Sequence, residues 1–173
     1  MVVLNSKKFI LRPYRKSDLI SLVKNLDNKK VSRYMSKVPF PYKIKDGKKW
    51  IERCLQKNKK GKKKKVIFAI EINGEVAGSI GLDPIKIKHK AEIGYWLAEK
   101  YWGNGIMSEA LRIMTNLGFE KLKLKRMQAH VFSENESSKK VLKKNGFQLE
   151  GRLKKYFFKN NKYSDCFLYA KTK

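Results

Sequence analysis

The chain has 173 residues, and its 42 Lys and Arg against 15 Asp and Glu leave a formal net charge of +27 at pH 7. Its 42% of hydrophobic residues suffice for the core of one compact domain, which we assign to residues 1–173, and they exclude wholesale disorder. No apolar run approaches the roughly 18 residues that a membrane-spanning helix requires. The excess positive charge instead indicates acidic partners.

In chain order, apolar periodicity and turn residues predict the series β-α-α-β-β-β-α-β-α-β-β. The predicted strands cover residues 9–11, 66–72, 76–82, 91–98, 127–132, 147–149 and 163–170. The predicted helices cover residues 18–23, 48–56, 107–117 and about 135–144. Asn73-Gly74 is a strong hairpin turn, and Asn145-Gly146 is typical of a left-handed helix end.

The pattern between residues 91 and 132 predicts a strand, a helix and a second strand. Such a crossover places the strands around Ile93 and Ala129 side by side and parallel. The other connections favour antiparallel neighbours. We therefore expect an α+β fold with a mixed, mostly antiparallel central sheet.

The loop that enters the third predicted helix has the composition of an anion site. Gly103 and Gly105 flank Asn104 just before the helix, and glycine lets a backbone approach a ligand closely. The N–H groups of a first helical turn have no intrahelical acceptor and attract anions. The loop is not a P-loop, because no Gly-Lys-Ser/Thr follows, and it lacks the third glycine of a dinucleotide fingerprint.

Taken with other motifs in the same order, this loop gives the chain a wider resemblance. The motifs are residues 11–14 (LRPY) with Asp18, 91–97 (AEIGYWL), 101–105 (YWGNG), 135–138 (NESS), 145–147 (NGF) and 150–151 (EG). The sequence resembles the GNAT superfamily of acyl-CoA-dependent N-acetyltransferases, and within it the Rim-type branch that acetylates the N-termini of ribosomal proteins. It departs from the superfamily signature at Lys100, where Gln or Arg is usual.

The resemblance implies a GNAT-like fold in which the two parallel strands splay apart into a V, with helices on both faces of the sheet. It also implies that acetyl-CoA is the cosubstrate, with its pyrophosphate on the loop and its pantetheine arm in the V. The residues that it assigns to cofactor binding are Trp96, Leu97, Lys100, Gly103, Asn104, Gly105, Ile106, Met107, Ser108 and Asn135.

Two residues are candidates for catalysis by the same resemblance. Glu92 matches the general base of many members, which takes a proton from the attacking amine. Ser138 is the candidate that protonates the leaving thiolate. Simpler interpretations remain open, because Glu92 could be a solvated strand residue and Asn135 and Ser138 could only cap a helix. His130 on the next strand is a less favoured base.

The acceptor amine is predicted by the resemblance alone. In the main hypothesis the acceptor is the α-amino group of a protein such as a ribosomal protein. The acetyl group is transferred to it directly, without an acyl-enzyme. Small amines such as polyamines or aminoglycosides are the alternative, although a +27 chain repels polycations unless acidic groups such as Glu71, Glu75 and Asp83 line the entrance. A third hypothesis is a basic module that binds RNA or the ribosome and keeps the fold of an enzyme.

The charge is unevenly distributed along the chain. Residues 1–65, 66–119 and 120–173 carry net charges of +18, −1 and +10, so the segment with the glycine loop and Glu92 is close to neutral. The lysine run at residues 57–65 is expected to be a solvated loop, which reflects either a lysine-rich composition or a surface for an anionic partner.

The N-terminus and the cysteines indicate a cytoplasmic protein. Residues 1–10 include two lysines before the apolar segment of a signal peptide could form. Cys54 and Cys166 are too few and too far apart for a zinc site, and we expect both to be reduced thiols. The sequence thus predicts neither export nor a metal centre.

Overall fold

The structure is a computed structural model that describes residues 3–56 and 65–173. The lysine run predicted as a loop lies outside the described residues, apart from Lys65. The strands are β1 (Leu4–Asn5), β2 (Ile10–Arg12), β3 (Val66–Ile72), β4 (Glu75–Lys86), β5 (Lys90–Leu97), β6 (Arg126–Phe132), β7 (Gln148–Lys159) and β8 (Lys162–Thr172). The helices are α1 (Leu19–Leu26), α2 (Lys29–Ser32), α3 (Ile44–Leu55), α4 (Ile106–Asn116) and α5 (Glu136–Lys144).

Among the described residues the strands form one mixed sheet in the order β1-β2-β3-β4-β5-β6-β8-β7. All neighbours are antiparallel except β5 and β6, which are joined through α4 and run parallel. This arrangement confirms the predicted fold class. It also places the one parallel pair near the middle of the sheet.

The parallel pairing is short, and this opens the sheet. Three residue pairs join β5 to β6, and the last of them is Glu92 with Gln128. Beyond it, residues 93–97 pair only with β4 and residues 129–132 pair only with β8. The two strands therefore separate into the predicted V, and the edge of β5 that faces β6 is left without a strand partner.

Helices cover both faces of the sheet because the strands alternate between two cores. Phe68 and Ile70 of β3 face the first core, and Ala69 between them faces the second. The helix residues that complete these cores include Leu111 and Leu142 in the first and Leu22 and Ile51 in the second. The first core thus holds α4 and α5, and the second holds α1 and α3.

The closing hairpin is much longer than the sequence predicted. β7 runs over Gln148–Lys159 and β8 over Lys162–Thr172, where short strands at 147–149 and 163–170 were expected. Asn160 and Asn161 form the turn in left-handed conformations that asparagine tolerates. The prediction failed because β7 is an edge strand with many exposed polar residues, which hide its alternation.

The helices near the N-terminus also differ from the prediction, because one was predicted too short and another was missed. α3 begins at Ile44 rather than at residue 48, and the carboxylate of Asp46 accepts a hydrogen bond of 3.0 Å from the Lys43 amide at its start. α2 was missed because a single turn has no periodicity. Its signal is Asn28, whose side chain accepts from the amides of Lys30 and Val31.

Candidate active site

The V between β5 and β6 opens a groove through the molecule. Two cavities of about 340 and 430 Å³ lie along it. They share the lining residues Tyr34, Met35, Tyr95, Trp96, Asn135 and Ser138. The larger cavity, which we call the donor half, borders the glycine loop and the start of α4. The smaller one, the acceptor half, contains Glu92.

The glycine loop shapes one wall of the donor half. Gly103 and Gly105 have φ angles of +79° and +73°, in the left-handed region that favours glycine, and a Cβ at either would meet no atom within 4 Å. The requirement for glycine here is thus conformational. No side chain of the described residues caps the helix that starts at Ile106, so its first N–H groups have no acceptor within that part of the chain. This geometry suits an anion.

Most of the predicted cofactor residues line the donor half. They are Trp96, Leu97, Gly103, Gly105, Ile106, Met107, Ser108 and Asn135. Lys100 and Asn104 do not line it. The Lys100 ammonium lies 3.0 Å from a carboxylate oxygen of Glu75, which raises the pKa of Lys100, and the Asn104 amide donates to the carbonyl of Trp102 at 3.2 Å. A cofactor role for these two side chains stays a prediction.

Sequence reasoning missed four cations on the donor half. Lys30 and Arg33 approach it from the side of α2, and Lys140 and Lys144 approach it from α5. The two lysines of α5 are four residues apart and thus on one helical face, which is a signal that the sequence did contain. Lys30 pairs with Glu99 at 2.6 Å, so the other three cations, together with the first turn of α4, make this half of the groove attractive to a polyanion.

The two halves meet at a pair of hydroxyl groups. The Oγ of Ser138 lies 2.7 Å from the phenolic oxygen of Tyr95, so one hydroxyl donates to the other. Burial raises the pKa of Tyr95 well above its ordinary value, and the phenol therefore remains protonated. Ser138, a predicted site residue, lines both cavities, whereas Tyr95 was not predicted as a site residue.

Asn135 has the structural role that the sequence left open. Its Oδ1 accepts from the Ser138 amide at 3.1 Å and from the Ser137 hydroxyl at 2.9 Å, so the side chain caps α5. Asn135 also lines both cavities and is therefore accessible from the groove. Capping thereby fixes the first turn of α5 and with it the position of Ser138.

Glu92 and His130 face each other in the acceptor half. Oε2 of Glu92 lies 3.2 Å from Nδ1 of His130, which is buried and has no other polar partner among the described residues. The Glu92 side chain is 41% exposed, whereas that of His130 is 13% exposed. The ring of Tyr156 stacks on His130 with centroids 5.1 Å apart. The Glu92 carboxylate is thus open to the groove on one side and contacts the His130 imidazole on the other.

A bulge in β7 brings aromatic rings to this half. Between the pairs Leu153–Cys166 and Phe157–Ser164, β7 has three residues where β8 has one. Phe157 lines the acceptor half and stacks on Phe132 with centroids 3.9 Å apart. The bulge changes the phase of the strand, and Phe157 lines the cavity as a result.

The described residues contain no cluster of three or more His, Cys, Asp or Glu side chains that could hold a metal ion. None of their helices combines the length and the apolar character that crossing a membrane requires.

The two cysteines are protonated thiols near neutral pH. Burial raises the pKa of Cys54 to about 12 and that of Cys166 to about 11.

Comparison with known protein families identifies the family of this chain. A family model described as the acetyltransferase (GNAT) domain matches residues 8–148. The chain belongs to this family. The predicted N-acetyltransferase class and the predicted acetyl-CoA cosubstrate are those of GNAT acetyltransferases, and both predictions are thereby confirmed.

Relatives of this GNAT chain differ in the amines that they acetylate. The ribosomal-protein-serine acetyltransferase of Escherichia coli is 39% identical over 106 residues, which are 61% of this chain and 59% of that protein. The spermidine N(1)-acetyltransferase of Escherichia coli is 33% identical over 100 residues, 57% of this chain and 54% of that protein. The chain therefore aligns with little more than half the length of either relative.

A solved structure supports the fold over the whole chain. The ribosomal L7/L12 alpha-N-protein acetyltransferase RimL, in complex with coenzyme A, has a TM-score of 0.86 at 24% identity, covering 99% of this chain and 98% of that one. At this identity the likeness concerns the fold.

Proposed function

We propose that this GNAT enzyme transfers the acetyl group of acetyl-CoA directly to the α-amino group of a protein, such as a ribosomal protein. The observation that carries the proposal is the continuous groove. Its donor half has cations and free helix N–H groups, its acceptor half has an open carboxylate, and the Ser138–Tyr95 pair lies between them.

The donor half supports binding of acetyl-CoA from one end to the other. The first-turn N–H groups of α4 and the cations at Lys140 and Lys144 would hold the phosphates. The unpaired edge of β5 offers backbone groups to the amides of the pantetheine arm. On this edge the Leu97 carbonyl already accepts from the Trp102 indole at 2.8 Å. Because the Ala98 amide bonds to Ala77 of β4, the backbone groups of Trp96 also face β4 by alternation, and the Leu97 amide and the backbone groups of Tyr95 remain for the cofactor.

The junction of the two halves supports direct transfer. The neutral amine attacks the thioester carbon, Glu92 takes the proton that the nitrogen loses, and backbone N–H groups near Trp96 or Leu97 stabilise the oxyanion. The C–S bond then breaks. The thiolate takes the proton of Ser138, whose oxygen stays hydrogen-bonded to the protonated phenol of Tyr95. Ser138 then recovers a proton from water while Glu92 releases the proton of the amine to water, so both side chains return to their starting states.

The charges around the entrance favour a protein N-terminus over a polyamine. A polycation would need free carboxylates there, and the sequence offered Glu71, Glu75 and Asp83. In the structure Glu71 and Glu75 line neither half of the groove, whereas Asp83 lines the acceptor half. Glu71 pairs with Arg12, and Asp83 pairs with Arg53. Glu75 pairs with lysines at 3.0 and 3.6 Å. All three are therefore already neutralised by cations of the protein.

The basic flanks would bring such an enzyme to its substrate from a distance. The net charges of +18 and +10 on either side of the near-neutral central segment attract an anionic particle such as a ribosome, while the groove keeps a charge suited to an amine. The charge of the flanks would thus steer the enzyme, and the chemistry would take place in the groove. A ribosomal acceptor would also place the enzyme in the cytoplasm.

The experiment is an acetyl-CoA turnover screen. Peptides with a free α-amine and with acidic or neutral second residues are compared with the same peptides blocked at the N-terminus, and with spermidine and free lysine. We expect turnover of unblocked peptides only. Preferred turnover of spermidine would favour the small-amine function of the spermidine N(1)-acetyltransferase relative. Failure of the protein to bind CoA in calorimetry at high micromolar concentration would reject the enzyme.

A further inference from the structure

One lysine of the closing hairpin reaches across to the segment that follows α2. The ammonium of Lys159, the last residue of β7, donates to the backbone carbonyls of Ser32 at 2.7 Å, Met35 at 2.8 Å and Val38 at 2.8 Å. These partners are more than 120 residues away in the sequence. The contact thus joins two distant parts of the chain at one atom.

The chemistry of the contact requires an ammonium group. A lysine ammonium has three protons at one point, and here each has a carbonyl acceptor. The carbonyls lie three residues apart because two successive turns bond Met35 to Ser32 and Val38 to Met35. No carboxylate of the described residues pairs with Lys159, and burial lowers its pKa. The carbonyl dipoles are therefore what compensates its partial removal from water.

The segment that Lys159 holds is a wall of the acceptor half. Its residues that line this cavity are Tyr34, Met35, Ser36, Lys37 and Val38. Among the described residues, the other side-chain attachment of this segment to the far side of the groove is Tyr34, whose hydroxyl donates to the Glu134 carbonyl at 3.1 Å and whose ring contacts Phe132. Met35 and Val38 also pack against the second core, but the segment is irregular and has neither a helical nor a strand ladder to hold its carbonyls.

We propose that Lys159 is a positioning residue that fixes the segment of residues 33–38, whose residues 34–38 form the wall, and thereby sets the affinity for the acceptor amine. The assignment of this cavity to the acceptor rests on the proposed function. The three hydrogen bonds themselves do not. Phe157 lies two residues earlier on the same strand and lines the same cavity, so one strand both forms part of the site and tethers its opposite wall.

The test compares Lys159→Met with Lys162→Met. Lys162 is the exposed neighbour of Lys159 across the hairpin turn. Its replacement removes the same charge, so Lys162→Met is the matched control. We expect Lys159→Met to raise the KM for the acceptor peptide about tenfold, since hydrogen bonds from a charged group are lost, with the KM for acetyl-CoA within about twofold of the parent. Lys162→Met should leave both constants unchanged.

A second measurement and a second variant separate positioning from general destabilisation. Hydrogen exchange of the amides in residues 33–38 should speed up in Lys159→Met and not in Lys162→Met. Lys159→Arg keeps the charge but spreads its donors over a planar fork, and it should restore the acceptor KM only in part. An unchanged acceptor KM in Lys159→Met, or equal losses for both substrates, would overturn the inference.

The inference and the proposed function fail in different ways. If the parent protein binds no CoA, the proposed function is wrong, and the exchange of residues 33–38 still decides whether Lys159 holds that segment. If the parent acetylates peptides but exchange in Lys159→Met equals that in the control, the function stands and the role of Lys159 is wrong.

Discussion

The phenolic oxygen of Tyr95 and the Oγ of Ser138 lie 2.7 Å apart at the boundary between the donor and acceptor halves of the groove. One residue comes from β5 and the other from the first turn of α5, and 43 residues separate them. A departing thiolate at this boundary would meet a serine that is already hydrogen-bonded to a protonated phenol. The pair is therefore the clearest place to test the chemistry.

Replacing Ser138 by Ala should lower kcat about 10²-fold, because the thiolate loses its proton donor. Tyr95→Phe should lower it less, since the serine hydroxyl remains. Both are measured as steady-state turnover with the best peptide, alongside CoA affinity by calorimetry. Ser17→Ala, at an exposed position before α1, serves as control. Full activity in Ser138→Ala would leave Ser138 with the role of a helix residue only.

Glu92→Gln should lower kcat by 10² to 10⁴-fold while CoA binds as before, because an amide cannot take the proton of the amine. His130→Asn should have a smaller effect, since the imidazole contacts the base at 3.2 Å without occupying its place. The control is Glu120→Gln, a carboxylate that pairs with Lys173 at the far end of the chain. Unchanged turnover in Glu92→Gln would exclude Glu92 as the base.

Gly105→Ala should destabilise the fold by about 1 kcal/mol and weaken CoA binding, because an alanine is strained at a φ of +73° at the start of α4. Thermal unfolding and calorimetry with CoA measure the two effects. Gly151→Ala is the matched control, since its Cβ also meets no atom within 4 Å and its φ is not in the left-handed region. Equal losses in both variants would contradict a special role for the loop.

Lys144→Gln should weaken CoA binding severalfold and reduce the dependence of the affinity on salt, because one cation is removed from the wall of the donor half. Lys143→Gln changes the same charge one residue earlier in α5 but lies outside the groove lining. Affinity is measured by calorimetry over a range of salt concentrations. If the two variants behave alike, the contribution is the net charge of the protein and not a site.

Asp165→Asn should lower the Tm at pH 7, because Asp165 holds the bulge of β7 through the Lys155 amide and the Arg152 side chain, both at 2.8 Å. The same two contacts, in that order, lower the pKa of Asp165. Its stabilisation is thus present above the ordinary pKa of about 3.9 and is lost as the pH falls through the lowered value. The Tm difference between parent and variant should therefore vanish in acid.

Thermal unfolding from pH 7 downward measures this difference. Glu134→Gln, an exposed carboxylate without such contacts among the described residues, should leave the parent profile unchanged. A constant gap between the parent and Asp165→Asn at every pH would show that the ionised carboxylate is not what supports the bulge.

Local signals made much of the fold predictable. The central order of strands and helices, the Asn73-Gly74 turn and the parallel crossover follow from periodicity and turn residues, which act over a few positions. The same signals failed for β7, since a polar edge strand has no hidden face to impose a clear alternation. They failed for α2 because one turn held by a cap carries no period.

The sequence by itself indicated the family and the glycine loop and predicted Glu92 and Ser138 as site residues, because those residues stand in short motifs that can be recognised locally. Only the tertiary structure decided which groups meet. The hydroxyl of Tyr95 contacts Ser138, and His130 contacts Glu92. Cations pair with Glu71, Glu75 and Asp83, and Lys159 binds the carbonyls of Ser32, Met35 and Val38. Such contacts depend on the order of strands in the sheet and on a bulge of β7, which bring together residues that are distant in the chain.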